Sequence, residues 1–148
     1  MLRPMNEPRW THVLDAEAIE AFMDEVFPRA NTFARIDALG EGRLVLTLRA
    51  EEGLDRFLRP GGTLSGPTLM NMADTAMYFL VLSLVGREAL AVTADLTMHF
   101  LRRPPAAPLR AEAAMLKLGR RLAVGEVHLR SEGVEGPVAH ATVTYALP

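Results

Sequence analysis

The sequence predicts an α+β domain in which a curved antiparallel sheet wraps around one long apolar helix. Three observations carry that prediction. Residues 67–85 are apolar on nearly every helical face, and Asp74 is the one charge among them. Runs of alternating apolar and polar residues stand on both sides of that stretch. Short turn segments separate the last four such runs, so these are expected to pair as an antiparallel meander. A helix apolar all round needs cover on every side. The sheet supplies most of it, and a second subunit is expected over the face the sheet leaves open.

The elements follow in order. Residues 1–14 read as a loosely ordered lead-in to a single domain spanning 1–148. Residues 15–27 form a first helix, with Asp15 as N-cap, Glu17 in the first turn and Pro28 as the stop. Ile19, Phe22, Met23 and Val26 recur at three- and four-residue spacing and make its buried stripe. Residues 32–39 and 43–50 form a hairpin around the turn at Gly40, Glu41 and Gly42, with Leu44, Leu46 and Leu48 on one face. After the central helix, residues 90–101 alternate again. Val92, Ala94, Leu96, Met98 and Phe100 share one face, and Thr93, Asp95, Thr97 and His99 the other. Residues 109–118, 122–130 and 138–147 complete the strands.

Composition narrows the function. Hydrophobic residues make up 49% and charged residues 23%, the balance of a soluble protein. A net charge of −2 gives no footprint for nucleic acid. The absence of cysteine removes disulfides, thiolate metal sites and thiol nucleophiles, and suits a reducing cytoplasm, the expected location. The first ten residues contain no apolar core, so no secretory signal is expected. Residues 67–85 reach membrane-spanning length, but Asn71, Asp74 and Thr75 near their centre favour a helix buried by protein, and no membrane partner is expected.

The chemistry concentrates in the central stretch. Pro67 suits a helix start, where its missing N–H costs nothing. Gly66 before it allows close backbone approach, and the free N–H groups of the first turn favour an anion or a developing oxyanion. Equally, this is a plain N-terminus capped by Ser65. Asp74, set among Met70, Met72, Met77 and Leu80, needs partners or a raised pKa. Asn71 and Tyr78 fall on its face, and Thr75 adjoins it. It reads either as a general base or nucleophile beside an apolar pocket, or as a structural carboxylate bonding backbone or crossing a dimer interface. Gly66 and Asp74 are separated by roughly 12 Å of helix at ~1.5 Å per residue. One reacting carbonyl cannot touch both in one chain. If both serve one reaction, they come from different subunits of a symmetric assembly.

The stretch 59–103, with SGPTLMNMADTAM followed by ALAVTADLTMHFLRRP, resembles the hotdog-fold acyl-CoA thioesterases of the phenylacetate-pathway and hydroxybenzoyl-CoA type. The resemblance implies a hotdog fold. It implies hydrolysis of an acyl-CoA or aryl-CoA thioester by a homodimer or homotetramer, with no cofactor beyond the coenzyme A of the substrate. It makes Asp74 the catalytic carboxylate, Gly66 the N–H that polarises the thioester carbonyl from the partner subunit, and Thr93 a hydroxyl that orients water. Two positions depart from the family pattern: its His before the glycine is Ser65, and its Asn or Gln seven residues earlier is Arg59.

Other residues take lesser roles. Arg59, Arg102 and Arg103 suit a carboxylate or the phosphates of coenzyme A, and Ser65, Asn71 and Tyr78 complete the expected substrate contacts. His12, His99, His128 and His140 lack metal-ligand spacing, so no metal site is expected, and His99 is expected to bond Asp95. The rival readings are an acyl-CoA-binding module without turnover, and a hotdog hydratase or dehydratase. The latter commonly uses a His in the central stretch, and residues 59–86 contain none.

Overall fold

The computed structural model describes residues 9–28, 33–49 and 53–148. The first helix, α1 (Ala16–Val26), starts as expected: the Asp15 carboxylate accepts from the Ala18 N–H at 2.8 Å. Ile19, Phe22 and Met23 are buried. Strands β1 (Ala34–Gly40) and β2 (Arg43–Leu48) form the hairpin, with Gly40 paired to Arg43. Its two-residue turn holds Glu41 and Gly42 at φ 51° and 72°, the left-handed geometry that matches strand twist. Leu44, Leu46 and Leu48 face the core. The expected strand ends at Thr32 and Ala50 lie outside the described residues.

A short hairpin that the sequence pattern did not reveal follows: β3 (Leu58–Arg59) and β4 (Thr63–Leu64), turned by Gly61 and Gly62 at positive φ. It leads directly into α2 (Gly66–Val85). Gly66 is the first helical residue and Pro67 the second, one place later than its sequence signal suggested. Strands β5 (Val92–Phe100), β6 (Leu109–Leu118), β7 (Leu122–Ser131) and β8 (Ala139–Ala146) complete the fold.

The large sheet has the order β1-β2-β6-β7-β8-β5, antiparallel throughout. The expected four-strand meander is therefore corrected: β6, β7 and β8 form one, but β5 pairs with β8 at the far edge. The reason is physical. Both edges of β6 are taken, by β2 and β7. The connection between β5 and β6 carries Pro104, Pro105 and Pro108, which lack backbone donors and do not suit a tight hairpin. It runs instead beside β4, where the Leu64 N–H donates to Pro104 O at 3.0 Å.

Helix α2 packs into the inner face of this sheet. By length and composition it could span a membrane, yet 67% of its apolar window is buried within the chain. Close approach depends on small residues opposite it: Ala111, Ala113, Ala123 and Ala141 are all buried. Gly125 is the tightest point. A Cβ there would sit 2.5 Å from Met77 Sδ and 2.8 Å from the Ala114 carbonyl oxygen.

The cover over the helix's outer side is also corrected. The chain covers the second half itself, through α1 and residues 12–14. The Val13 and Leu14 N–H groups both donate to Ser83 O, at 2.6 and 3.2 Å. His12 joins the same point: Gly42 N–H donates to its Nε2 at 2.9 Å, so Nδ1 carries the proton and donates to Ser83 Oγ at 3.0 Å. Residues 9–14 are thus tied down rather than loose; residues 1–8 lie outside the described part. The first half of α2 stays open, with Met70 and Asn71 exposed.

Gly125→Ala should destabilise the protein by about 1–3 kcal/mol, because a backbone carbonyl and a fully buried Met77 must both yield. Urea unfolding checks this, and a neutral result would mean that helix and sheet are not in such close contact.

Candidate active site

A polar strip runs from the open half of α2 to Tyr78 just beyond it, at the expected helical spacing. Asn71, Asp74, Thr75 and Tyr78 line one cavity of about 300 Å³ together with Met23, Phe27, Phe33, Phe79 and Tyr145. Asp74 is only partly buried, and it is partnered. Its Oδ1 accepts two hydroxyl donors: Thr93 Oγ1 at 2.7 Å and Tyr145 OH at 2.8 Å. The Tyr145 hydroxyl also lies 3.2 Å from the Asp74 carbonyl oxygen. No group among the described residues donates to Oδ2. One oxygen fixes the carboxylate, and the other is left for a ligand or water.

Thr93 reaches Asp74 through an irregularity that simple alternation cannot show. Pairing between β5 and β8 runs Thr93 to Tyr145, then Asp95 to Thr144, with Ala94 unmatched. That bulge corrects the expected faces of β5. Thr93 leaves the side of Asp95 and joins that of Tyr145, Leu96 and Met98, toward the helix. The expected bond between His99 and Asp95 is absent among the described residues; Asp95 Oδ1 accepts from Thr97 Oγ1 at 3.3 Å instead.

Tyr145 is the residue of this candidate site that sequence reasoning missed. It continues the inward row of Ala141 and Val143 near the end of β8. The usable signal was an aromatic with a polar tip in a row of small apolar residues. Burial, reinforced by the charge of Asp74, raises its pKa far above the ordinary tyrosine value. It therefore stays protonated and acts as a donor. Its ring stacks on Tyr78, with centroids 5.6 Å apart and planes 12° apart, and Phe27 meets Tyr78 edge-on at 6.3 Å. Burial also raises the Tyr78 hydroxyl pKa, with the Glu88 charge adding to it. Thr75 Oγ1 donates to Asn71 Oδ1 at 3.2 Å, which orients that amide.

Gly66 lies in a different cavity, of about 680 Å³, lined by Arg59, Leu69, Phe100, Arg102 and Arg103 among others. The two linings share no residue. Among the described residues no group accepts from the Gly66 N–H. Its φ is not positive, and the nearest atom to an added Cβ would be Phe100 at 3.6 Å. The chain's own geometry therefore does not require glycine here, whereas close approach by another molecule would.

Ser65 is occupied as the helix cap, accepting from Thr68 N–H at 3.2 Å and bonding Thr68 Oγ1 at 2.8 Å. Arg102 Nη1 donates to Pro137 O at 2.6 Å. The Arg59 and Arg103 side chains have no hydrogen-bond or ion-pair partner among the described residues, and they add two positive charges to the cavity lining.

Comparison with known proteins identifies the family and the fold. The sequence profile of the thioesterase superfamily matches residues 61–138. A candidate thioesterase of Silicibacter sp. TM1040 is 46% identical over 93% of this chain and 94% of its own, with a TM-score of 0.83. A candidate thioesterase of Ralstonia eutropha JMP134, related to phenylacetic acid degradation, is 30% identical over 77% and 84%, with a TM-score of 0.68. A Haemophilus influenzae thioesterase, at 20% identity over 94% of both chains and a TM-score of 0.78, shares the fold. Comparison with curated proteins finds no match. This chain belongs to the thioesterase superfamily and has its hotdog fold, and thioester hydrolysis is the chemistry that membership supports.

Tyr145→Phe and Thr93→Val should each cost about 1–3 kcal/mol, since each removes a hydrogen bond to a charged acceptor. Because both donors share one oxygen, their effects should not add, and a double-mutant cycle by urea unfolding measures the coupling. Strict additivity would contradict the shared-acceptor geometry.

Proposed function

We propose that this protein hydrolyses an acyl-CoA or aryl-CoA thioester, with Asp74 driving attack and the Gly66 N–H of a second copy holding the oxyanion. The observation that carries this reading is the Asp74 carboxylate, held at Oδ1 by two hydroxyls and with no donor to Oδ2 among the described residues, beside an aromatic-lined cavity.

The steps balance with groups the chain supplies. Acting as general base, Asp74 takes a proton from water as the oxygen attacks the thioester carbonyl carbon. Negative charge develops on the carbonyl oxygen, where the Gly66 N–H at the positive end of α2 would stabilise it. Collapse breaks the carbon–sulfur bond. The departing thiolate recovers the proton from Asp74, giving free acid and coenzyme A. Direct attack by the carboxylate, through an anhydride that water then cleaves, uses the same groups.

Two copies are needed, because Gly66 and Asp74 open into separate cavities. The free edge of β5 suits the contact: it is exposed along its length, with Val92 at 58% and Phe100 at 54% accessibility. Arg59 and Arg103 suit the phosphates of coenzyme A. Phe27, Tyr78, Phe79 and Tyr145 suit a flat acyl group, in line with the phenylacetic acid connection of the Ralstonia protein. A cytoplasmic location fits a cysteine-free chain acting on such a substrate.

The test is release of free coenzyme A from a panel of acyl- and aryl-CoAs. Asp74→Asn and Asp74→Ala should lower kcat by about 10²–10⁴-fold, the range for a lost general base. Tight coenzyme A binding with no turnover on any substrate would sink the proposal in favour of a binding module. Hydration of an enoyl-CoA without thioester cleavage would favour a lyase.

A further inference from the structure

We propose that Glu126, His128 and His140 form a binding site for a divalent first-row transition ion on the outer face of the sheet. The sequence hides this site because two ligands lie two residues apart on β7 and the third lies on β8. Within β7, Glu126 and His128 alternate with the buried Gly125, Val127 and Leu129, so they point away from the helix. On β8, His140 alternates in the same way with Ala139 and Ala141. His128 and His140 are directly opposite in the ladder, and Glu126 is opposite Thr142. Two histidines and a carboxylate are thereby brought to one point by pairing register, although their spacing along the chain shows no metal-ligand pattern.

The geometry suits a cation. The ligand atoms of all three side chains lie within 4.8 Å of one another. His140 Nε2 and Glu126 Oε2 are 3.0 Å apart, and the two imidazole rings have centroids 4.7 Å apart at 60°. Bonds of about 2.0–2.2 Å to a tetrahedral ion put neighbouring ligand atoms roughly 3.3 Å apart. One edge is already that short, and small rotamer shifts close the others. The three residues are half-buried, which leaves access for the ion and a remaining position for water.

The surroundings favour this use. On β6, Glu112 lies opposite His128, but Arg130 and Arg110 engage it. Glu126 is therefore the carboxylate available to the histidine pair. On the other side, β5 places His99 opposite His140 and Thr97 opposite Thr142. Two imidazoles select a borderline ion such as Zn²⁺, Co²⁺ or Ni²⁺ over Mg²⁺ or Ca²⁺, which prefer all-oxygen shells. The site lies on the opposite face of the sheet from Asp74, so it stands or falls independently of the hydrolytic proposal.

The experiment uses untagged full-length protein freed of metal by chelator dialysis. Titration calorimetry with Zn²⁺ should give one ion per chain. Glu126→Gln, His128→Gln and His140→Gln should each weaken binding by at least about tenfold, while His12→Gln and His99→Gln should not. A second readout needs no variant: Ni²⁺ or Co²⁺ added to the wild type should broaden the ring-proton NMR signals of His128 and His140 before those of His12. Failure to saturate with any of the three ions at millimolar concentration would overturn the proposal. So would binding that survives His128→Gln combined with His140→Gln, or broadening that starts elsewhere.

Discussion

A carboxylate in the middle of a helix that packs into a sheet imposes a local debt of solvation. Each carboxylate oxygen turned away from water needs a donor in its place, and Asp74, only partly buried, turns Oδ1 inward. Asp74 obtains two, from Thr93 and Tyr145, and both come from the same end of the sheet. Much of the surrounding structure follows. Strand β5 must bulge at Ala94 to aim Thr93 inward, and β8 must end on an inward tyrosine. The tyrosine ring needs its own cover, which Tyr78 supplies by stacking, and Tyr78 in turn meets Phe27 at the end of α1. The apolar cavity beside Asp74 is thus built from the residues that support it.

The same helix offers a second feature of opposite polarity. Its N-terminus presents the Gly66 N–H, without an acceptor among the described residues, in a cavity edged by arginines. The two features are fixed at a separation of roughly 12 Å by helical rise, and no side-chain rearrangement can merge them. The half of α2 left uncovered by the chain is the half that holds both. The free edge of β5 borders that half through Thr93 and Phe100. In the proposed reaction, a second copy supplies the missing wall.

Much of this was legible in the sequence, for identifiable reasons. Capping by Asp15 and Ser65 is local chemistry, and so are the Glu41-Gly42 turn and the inward leucines of β2. The polar strip of Asn71, Asp74 and Tyr78 follows from helical spacing alone. What was not legible depends on contacts between distant strands. A one-residue bulge reverses the facing of Thr93 while leaving its sequence pattern untouched. Nothing in the pattern of residues 138–147 ties Tyr145 to Asp74, and the bond between them appears only when β8 lies beside β5. The convergence of His128 with His140 depends on register in the same way. The β5 to β8 pairing itself was missed because nearness in sequence was taken as nearness in the sheet.

The claim at the centre is that one reaction uses Asp74 from one copy and Gly66 from another. It is tested most directly by mixing two inactive proteins, Asp74→Ala and Gly66→Pro, and isolating the mixed dimer through two different affinity tags. Each mixed dimer contains one doubly damaged site and one intact site. Coenzyme A release should therefore return to about half the wild-type rate per dimer, as two-fold symmetry requires. Mixed dimers as inactive as both parents would contradict the account.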